Sequence, residues 1–123
     1  MADQTSKAAV DSACDDQEHS SLPASARPDA AFQRAVEIFK ALGDEARLRT
    51  LETLERAGEV CVSELAASSG EGVSTVSHRL RLLRSAGLVR RRRAGKHVYY
   101  ALADDHVARL VADALDHASE DVR

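Results

Sequence analysis

The stretch that decides the fold runs from residue 63 to residue 102 and reads SELAASSGEGVSTVSHRLRLLRSAGLVRRRRAGKHVYYAL. It begins with a short predicted helix, SELAASS, followed by a longer one, VSTVSHRLRLLRSA. Gly70 and Gly72 interrupt the chain between the two helices, and Gly87 ends the second. Two short helices joined by a glycine turn are typical of a helix-turn-helix motif.

The second helix of this motif has an apolar face and a polar face. Its apolar residues recur every three or four positions and are predicted to point into the core: Val73, Val76, Leu80 and Leu83. The opposite face and its shoulders carry the side chains that we expect to contact DNA in a major groove: Ser74, Thr75, Ser77, His78, Arg81 and Arg84.

Residues 88–102 alternate about Ala94-Gly95 and are predicted to form a β-hairpin. Its basic residues extend the expected DNA-binding set: Arg91, Arg92, Arg93 and Lys96. From Val73 to Ala103 the chain has eight Lys or Arg and no Asp or Glu, although the whole chain carries a net charge of −3. A basic block of this kind is expected on a nucleic-acid-binding surface. The alternative interpretation is an ordinary charged face in contact with solvent. His97, on this hairpin, is interpreted as structural.

Two helices precede this stretch and one follows it. Asp29 is predicted to cap a helix over residues 30–42, and Asp44 a second helix that ends before Gly58. The last helix begins at Asp104 or Asp105. The predicted fold is therefore mainly α with a small β-hairpin. Residues 1–29 are polar and contain both prolines, which predicts a mobile N-terminal arm, with one folded domain over residues 30–123.

Composition narrows the class of protein. No stretch approaches the roughly 18 apolar residues of a membrane helix, and the first 30 residues lack the apolar segment of a signal peptide. A cytoplasmic protein without a membrane partner is therefore expected. In that compartment Cys14 and Cys61 should be reduced thiols, available to a metal or to redox chemistry.

The last helix, DDHVARLVADALDHASE, has metal-ligand residue types at both ends. At a rise of about 1.5 Å per residue, His106 and His117 lie roughly 16 Å apart on nearly the same face, so one chain cannot hold one ion with both. Between them runs an apolar stripe at helical spacing, which predicts a partner for this helix.

These residues together resemble the ArsR/SmtB family of metal-sensing winged-helix repressors, and most closely its zinc-sensing SmtB-like members. The resemblance covers roughly Phe32 to Glu120 and rests on ALGDEARLRTLETL, CVSELA, STVSHRLRLLRSAGLV, GKHVYYAL, and D-x-H followed after ten residues by H-x-x-E. It implies a winged helix-turn-helix homodimer, formed through the N- and C-terminal helices. Such a dimer binds two-fold operator DNA when metal-free and dissociates on binding Zn(II), derepressing metal efflux or sequestration genes.

The resemblance also implies two kinds of metal site. The first lies between subunits and combines two ligands from each: Asp104, His106, His117 and Glu120. Its nitrogen and oxygen donors suit tetrahedral zinc or cobalt. The second joins the arm of one subunit to the other: Cys14, His19, Cys61 and Glu64. A thiolate-rich site would also take cadmium or lead. In this chain His19 lies one position later than the family's ligand pattern expects, and Glu18 is an alternative ligand.

Two alternatives to a metal-responsive repressor remain at this point. A redox or sulfide sensor on the same fold would use Cys14 and Cys61 as a dithiol. A small zinc hydrolase is suggested by H-x-x-E, but four protein ligands would close the coordination sphere and no substrate pocket is indicated. We therefore expect a protein that is not an enzyme.

Overall fold

The computed structural model describes residues 21–120. These residues form helices α1 (Asp29–Leu42), α2 (Glu45–Ala57), α3 (Val62–Ser69), α4 (Val73–Ser85) and α5 (Asp105–Ser119). The strands are β1 (Glu59–Cys61), β2 (Val89–Ala94) and β3 (His97–Leu102), which form one antiparallel sheet in the order β1-β3-β2. Cys14 and His19, with most of the predicted arm, lie outside the described residues. None of the described helices is long and apolar enough to span a bilayer.

The predicted helix-turn-helix is α3 and α4. Gly70 ends α3 in the left-handed conformation, at φ 73°, which residues with a side chain rarely adopt. Val76, Leu80 and Leu83 of α4 are buried as predicted. The prediction for Val73 was wrong, because this first residue of α4 is 54% exposed. It lies at the helix start, where it lines a groove between α4 and the strands β2 and β3.

The hairpin of β2 and β3, hereafter the wing, pairs Ala94 with His97, so its two-residue turn is Gly95-Lys96. Gly95 has a φ of 62°, as such turns require. The third strand, β1, was not predicted. Its three residues pair with β3, and Cys61 lies opposite Tyr99. Because α3 follows β1 directly in the chain, this pairing attaches α3 to the wing.

The core lies where α2, α4, α5 and the sheet meet. Its fully buried side chains come from three helices, α2, α4 and α5, and from the loop after α4: Leu51, Leu54, Val76, Leu80, Leu83, Leu88 and Val111. Asp44 caps α2 as predicted, accepting a hydrogen bond from the Arg47 amide at 3.0 Å. Asp29 does not cap α1, since the helix already includes it and Pro28 occupies the cap position.

Both terminal helices leave apolar surface uncovered in a single chain. The apolar side of α1 exposes Phe32, Val36 and Phe39, each by half or more. In α5, Val107 and Val111 are buried against the core, whereas Ala114 and Ala118 are exposed. These are the faces through which a second subunit was expected to pack.

Candidate metal sites and DNA-binding surface

A groove of about 370 Å³ separates α4 from the wing. Four basic side chains line it, and none of the described residues along it is acidic: Arg81, Arg91, Arg93 and Lys96. We call this the basic groove. Its basic side chains belong to the two elements that sequence assigned to DNA contact, and their charge suits a phosphate backbone.

The four consecutive arginines of the wing do not share one face, because side chains alternate along a strand. Arg91 and Arg93 line the basic groove. Arg92 points the other way, where it donates to both carboxylate oxygens of Glu59 at 2.8 and 3.1 Å and lies over the Tyr99 ring, with its guanidinium carbon 4.8 Å from the centroid. Arg92 is thus engaged within the sheet.

The remaining expected DNA contacts lie on α4. Ser74, Thr75 and His78 are exposed on its outer face, together with Arg81 and Arg84, and Ser77 is half-buried beside the groove. The structure therefore presents all six predicted α4 side chains along one side of the helix and at its shoulders.

The turn before α4 contains an ion pair that the spacing of residues does not reveal. Arg79 donates two hydrogen bonds to Glu71, at 2.8 and 2.6 Å, and a third to the Thr50 hydroxyl of α2 at 3.3 Å. The Arg79 side chain is only 12% exposed. These contacts join the turn, α4 and α2. In sequence Arg79 looks like any other arginine of α4, and only the fold brings Thr50 to it.

At the start of α5, Asp104 caps the helix, accepting from the Val107 amide at 3.1 Å, and its carboxylate lies 3.8 Å from Nδ1 of His106. At the end of α5, Nδ1 of His117 lies 3.7 Å from the Glu120 carboxylate. All four side chains are more than half exposed. Ligand atoms of tetrahedral zinc are about 3.4 Å apart, so each pair fits two adjacent coordination positions after a small rotation.

No group of three His, Cys, Asp or Glu side chains within residues 21–120 of one chain is arranged to hold an ion. The four α5 residues are thus brought together in two pairs, one at each end of the helix. Each pair is half of the predicted tetrahedral set.

Cys61 of the second predicted site ends β1 and is 8% exposed. Its thiol lies 3.4 Å from the Ser63 hydroxyl and 3.7 Å from Nδ1 of His97. Hydrogen bonds from the Ser63 hydroxyl and amide, and then from His97, lower the pKa of this thiol to about 7, which favours the metal-binding thiolate. The Glu64 carboxylate accepts from the Cys61 amide at 3.2 Å, so it serves as a helix cap here.

Known proteins share this sequence and this fold. The model of the bacterial regulatory protein family "arsR" matches residues 44–91. A protein of Synechocystis sp., named as a transcriptional repressor SmtB homolog, is 49% identical over 88 residues, which cover 72% of this chain and 66% of that protein. A Staphylococcus aureus protein, named as a cadmium resistance transcriptional regulatory protein CadC homolog, is 40% identical over 98 residues, covering 77% and 81%.

Among solved structures, the homodimeric winged helix-turn-helix DNA-binding domain of a possible ArsR-family regulator from Mycobacterium bovis aligns with a TM-score of 0.73. It is 34% identical, and the alignment covers 84% of this chain and 94% of that one. These relatives are transcriptional regulators, which confirms the prediction of a regulator and not an enzyme. With its helix-turn-helix, its basic wing and these relatives, the chain belongs to the ArsR/SmtB family of winged helix-turn-helix transcriptional regulators.

Proposed function

We propose that this protein is a cytoplasmic, zinc-responsive repressor that binds a two-fold operator as a metal-free homodimer and dissociates when zinc binds. Its targets are genes for metal efflux or sequestration. The observation that carries the proposal is the pair of exposed carboxylate–imidazole half-sites at opposite ends of α5. Neither is complete alone, and the helix between them is too long for one chain to join them.

An antiparallel pairing of α5 with its copy completes both half-sites. Asp104 and His106 of one subunit then meet His117 and Glu120 of the partner subunit, which gives two equivalent sites about a two-fold axis. The uncovered apolar side chains of α1 and α5 support such a dimer, because burying them removes apolar surface from water. Two nitrogen and two oxygen donors favour zinc or cobalt.

Operator DNA is read by the outer face of α4 and held by phosphate contacts in the basic groove. The phosphate contacts that we assign to the wing come from Arg91, Arg93 and Lys96. We leave out Arg92 because Glu59 already neutralises it. Two α4 helices related by a two-fold axis fit half-sites about one duplex turn apart.

Zinc and DNA oppose each other in this proposal through a coupling free energy that is the same in both directions. Ligands from two subunits fix the relative orientation of the two α5 helices, and each α5 packs on α2 and the sheet that support α4. An orientation that suits zinc then moves the two α4 helices out of register with the operator.

The second metal site of the proposal combines Cys14 and His19 of the arm with Cys61 and Glu64 of the partner subunit. The lowered pKa of the Cys61 thiol supports thiolate ligation. Cadmium or lead would bind there more readily than at the α5 site. The name of the Staphylococcus aureus relative, a cadmium resistance regulator, agrees with such a site.

The proposal is tested by measuring operator binding with and without zinc for His117→Ala and Cys61→Ser. Both variants should bind the operator without metal as the wild type does. His117→Ala should remain bound in zinc, whereas Cys61→Ser should still dissociate. The opposite result assigns regulation to the thiolate site. If a thiol-blocking reagent removes all regulation while zinc has no effect, the protein is a thiol sensor instead.

A further inference from the structure

Cys61 and His97 approach each other because of the register of the sheet. Cys61 lies opposite Tyr99, and His97 precedes Tyr99 by two residues, so its side chain leaves β3 on the same face. The result is a diagonal cross-strand contact, with the Cys61 thiol sulfur 3.7 Å from Nδ1 of His97. Both residues line the basic groove.

The separation of these two atoms matches adjacent ligands of one metal ion. With zinc–sulfur and zinc–nitrogen bonds of about 2.3 and 2.05 Å, the sulfur and nitrogen of a tetrahedral site lie about 3.6 Å apart. No rearrangement of the sheet is needed to reach that distance. The Glu64 carboxylate, by contrast, is occupied by the Cys61 amide.

We propose that Cys61 and His97 of the same chain are joint ligands of a thiolate–imidazole site for Cd(II) or Zn(II), with His97 as an additional ligand from the wing. This assignment departs from the structural role that the sequence suggested for His97. It rests on the proposed function only in taking Cys61 as a metal ligand. The remaining coordination positions are open to water.

The position of this site allows a bound metal ion to affect DNA binding directly. His97 is the first residue after the wing turn, next to Lys96, and Cys61 immediately precedes α3 of the helix-turn-helix. An ion held by both side chains therefore fixes the wing relative to the helix-turn-helix. Because Cys61 lies opposite Tyr99 and Tyr99 opposite Arg92, this ion lies on the Arg92 face of the sheet, at the edge of the basic groove. Metal at this site can act on DNA binding without any change in α5.

The experiment uses the full chain carrying His117→Ala, which disables the α5 site, and Cd(II) as the probe. In this background His97→Gln, Cys61→Ser and the matched control His78→Gln are compared. Cadmium affinity is measured by competition with a chelator, thiolate ligation by its ultraviolet charge-transfer absorption, and the donor set by ¹¹³Cd NMR. Circular dichroism checks that each variant is folded.

Cys61→Ser should lose the charge-transfer absorption. His97→Gln should keep it, but bind cadmium about tenfold or more weakly, with a shifted ¹¹³Cd resonance, because even the loss of an indirect partner costs about that much. His78→Gln should match its parent in cadmium affinity and in its ¹¹³Cd resonance, because the His78 ring lies on the outer face of α4 and not beside Cys61. The inference is overturned by unchanged affinity and resonance in His97→Gln, or by the absence of cadmium–thiolate absorption in the His117→Ala parent.

A measurement without substitution at His97 keeps the test independent of folding. In the same His117→Ala chain, long-range ¹H–¹⁵N spectra should show the Nδ1 resonance of His97 move when one equivalent of Cd(II) is added. An unmoved His97 ring overturns the inference. Zinc-driven operator release in the otherwise wild-type chain is a separate result, so the two proposals can fail independently.

Discussion

Arg79 and Glu71 form a two-pronged ion pair across the turn that leads into α4, and the Arg79 guanidinium also reaches Thr50 on α2. These contacts attach α4, the helix expected to face DNA, to the turn before it and to α2. Gly72 occupies the cap position of α4 and provides no side-chain cap. The ion pair therefore supplies the fixed geometry that a capping side chain often provides.

We predict that Arg79→Ala lowers the free energy of unfolding by about 2 kcal/mol, because hydrogen bonds to charged partners are lost from a largely buried position. Arg79→Lys should recover only part of this, since one ammonium cannot reproduce the planar fork. Chemical denaturation measures both. A loss in Arg79→Ala no greater than in the exposed control Arg84→Ala would contradict a structural role for the pair.

The same pair predicts a pH dependence. Hydrogen bonding from Arg79 lowers the pKa of Glu71 below its usual 4.5. A lowered folded-state pKa stabilises the fold above the unfolded value, and this contribution disappears as the pH falls through the folded value. We expect the free energy of unfolding to fall more steeply below about pH 5 in the wild type than in Glu71→Gln.

The Arg92 contact lowers the pKa of Glu59 in the same direction, so a common acid response will remain in both proteins. If the free energy of unfolding falls equally with decreasing pH in the wild type and in Glu71→Gln, the charge of the Glu71 carboxylate contributes nothing to stability.

The wing gives a prediction that distinguishes neighbouring arginines. Arg93→Ala should weaken binding to all DNA sequences about equally and reduce the slope of log affinity against log salt by about one, because one phosphate contact is lost. Arg92→Ala should change that slope less, since Glu59 already holds its guanidinium. Fluorescence anisotropy at several salt concentrations measures both, and equal slope changes would contradict this division of the wing.

Arg81 tests the other half of the DNA surface. It lies on α4 at the edge of the basic groove, so Arg81→Ala should reduce affinity for the operator more than affinity for unrelated DNA. The expected loss of discrimination is about 1–3 kcal/mol if its guanidinium contacts a guanine. The control is Arg93→Ala, and equal losses of operator preference in both variants would show that Arg81 contacts phosphate only.

Local sequence signals were sufficient for most of the fold. Glycines and the Asp44 cap marked helix ends, and alternation marked the wing. The misses depend on contacts between distant residues. The three-residue strand β1 forms because β3 pairs with it, and the Arg79 contact to Thr50 exists because α2 and α4 pack together. Spacing alone does not contain that information.

The candidate sites likewise include one that local sequence predicts and one that depends on contacts between distant residues. The ligand pairs at the ends of α5 follow from helical spacing, because Asp104 and His106, like His117 and Glu120, are neighbours along the chain. The nearness of His97 to Cys61 depends on the register of two strands 36 residues apart. A solitary histidine in the sequence therefore looked structural, although the sheet places its ring beside the thiol.

The last prediction tests whether the α5 sites join two subunits. His106→Ala and His117→Ala each remove one ligand from both sites of a homodimer, so neither variant alone should bind zinc tightly. In a heterodimer of the two chains both lesions fall in the same site. The other site keeps Asp104 and His106 from one chain with His117 and Glu120 from the other.

Refolding an equal mixture of the two variants should therefore restore about one tight zinc ion per heterodimer, because one interfacial site is complete. Zinc-driven release of operator DNA should return in part. Differently tagged chains allow the heterodimer to be purified before zinc is measured by competition with a chelator, and each homodimer treated in the same way is the control. Both chains should carry Cys61→Ser, so that cadmium- or zinc-binding thiolates do not contribute. If the purified heterodimer binds no more zinc than either homodimer, the α5 residues do not bridge subunits, and the exposed pairs at the two helix ends serve only capping and solubility.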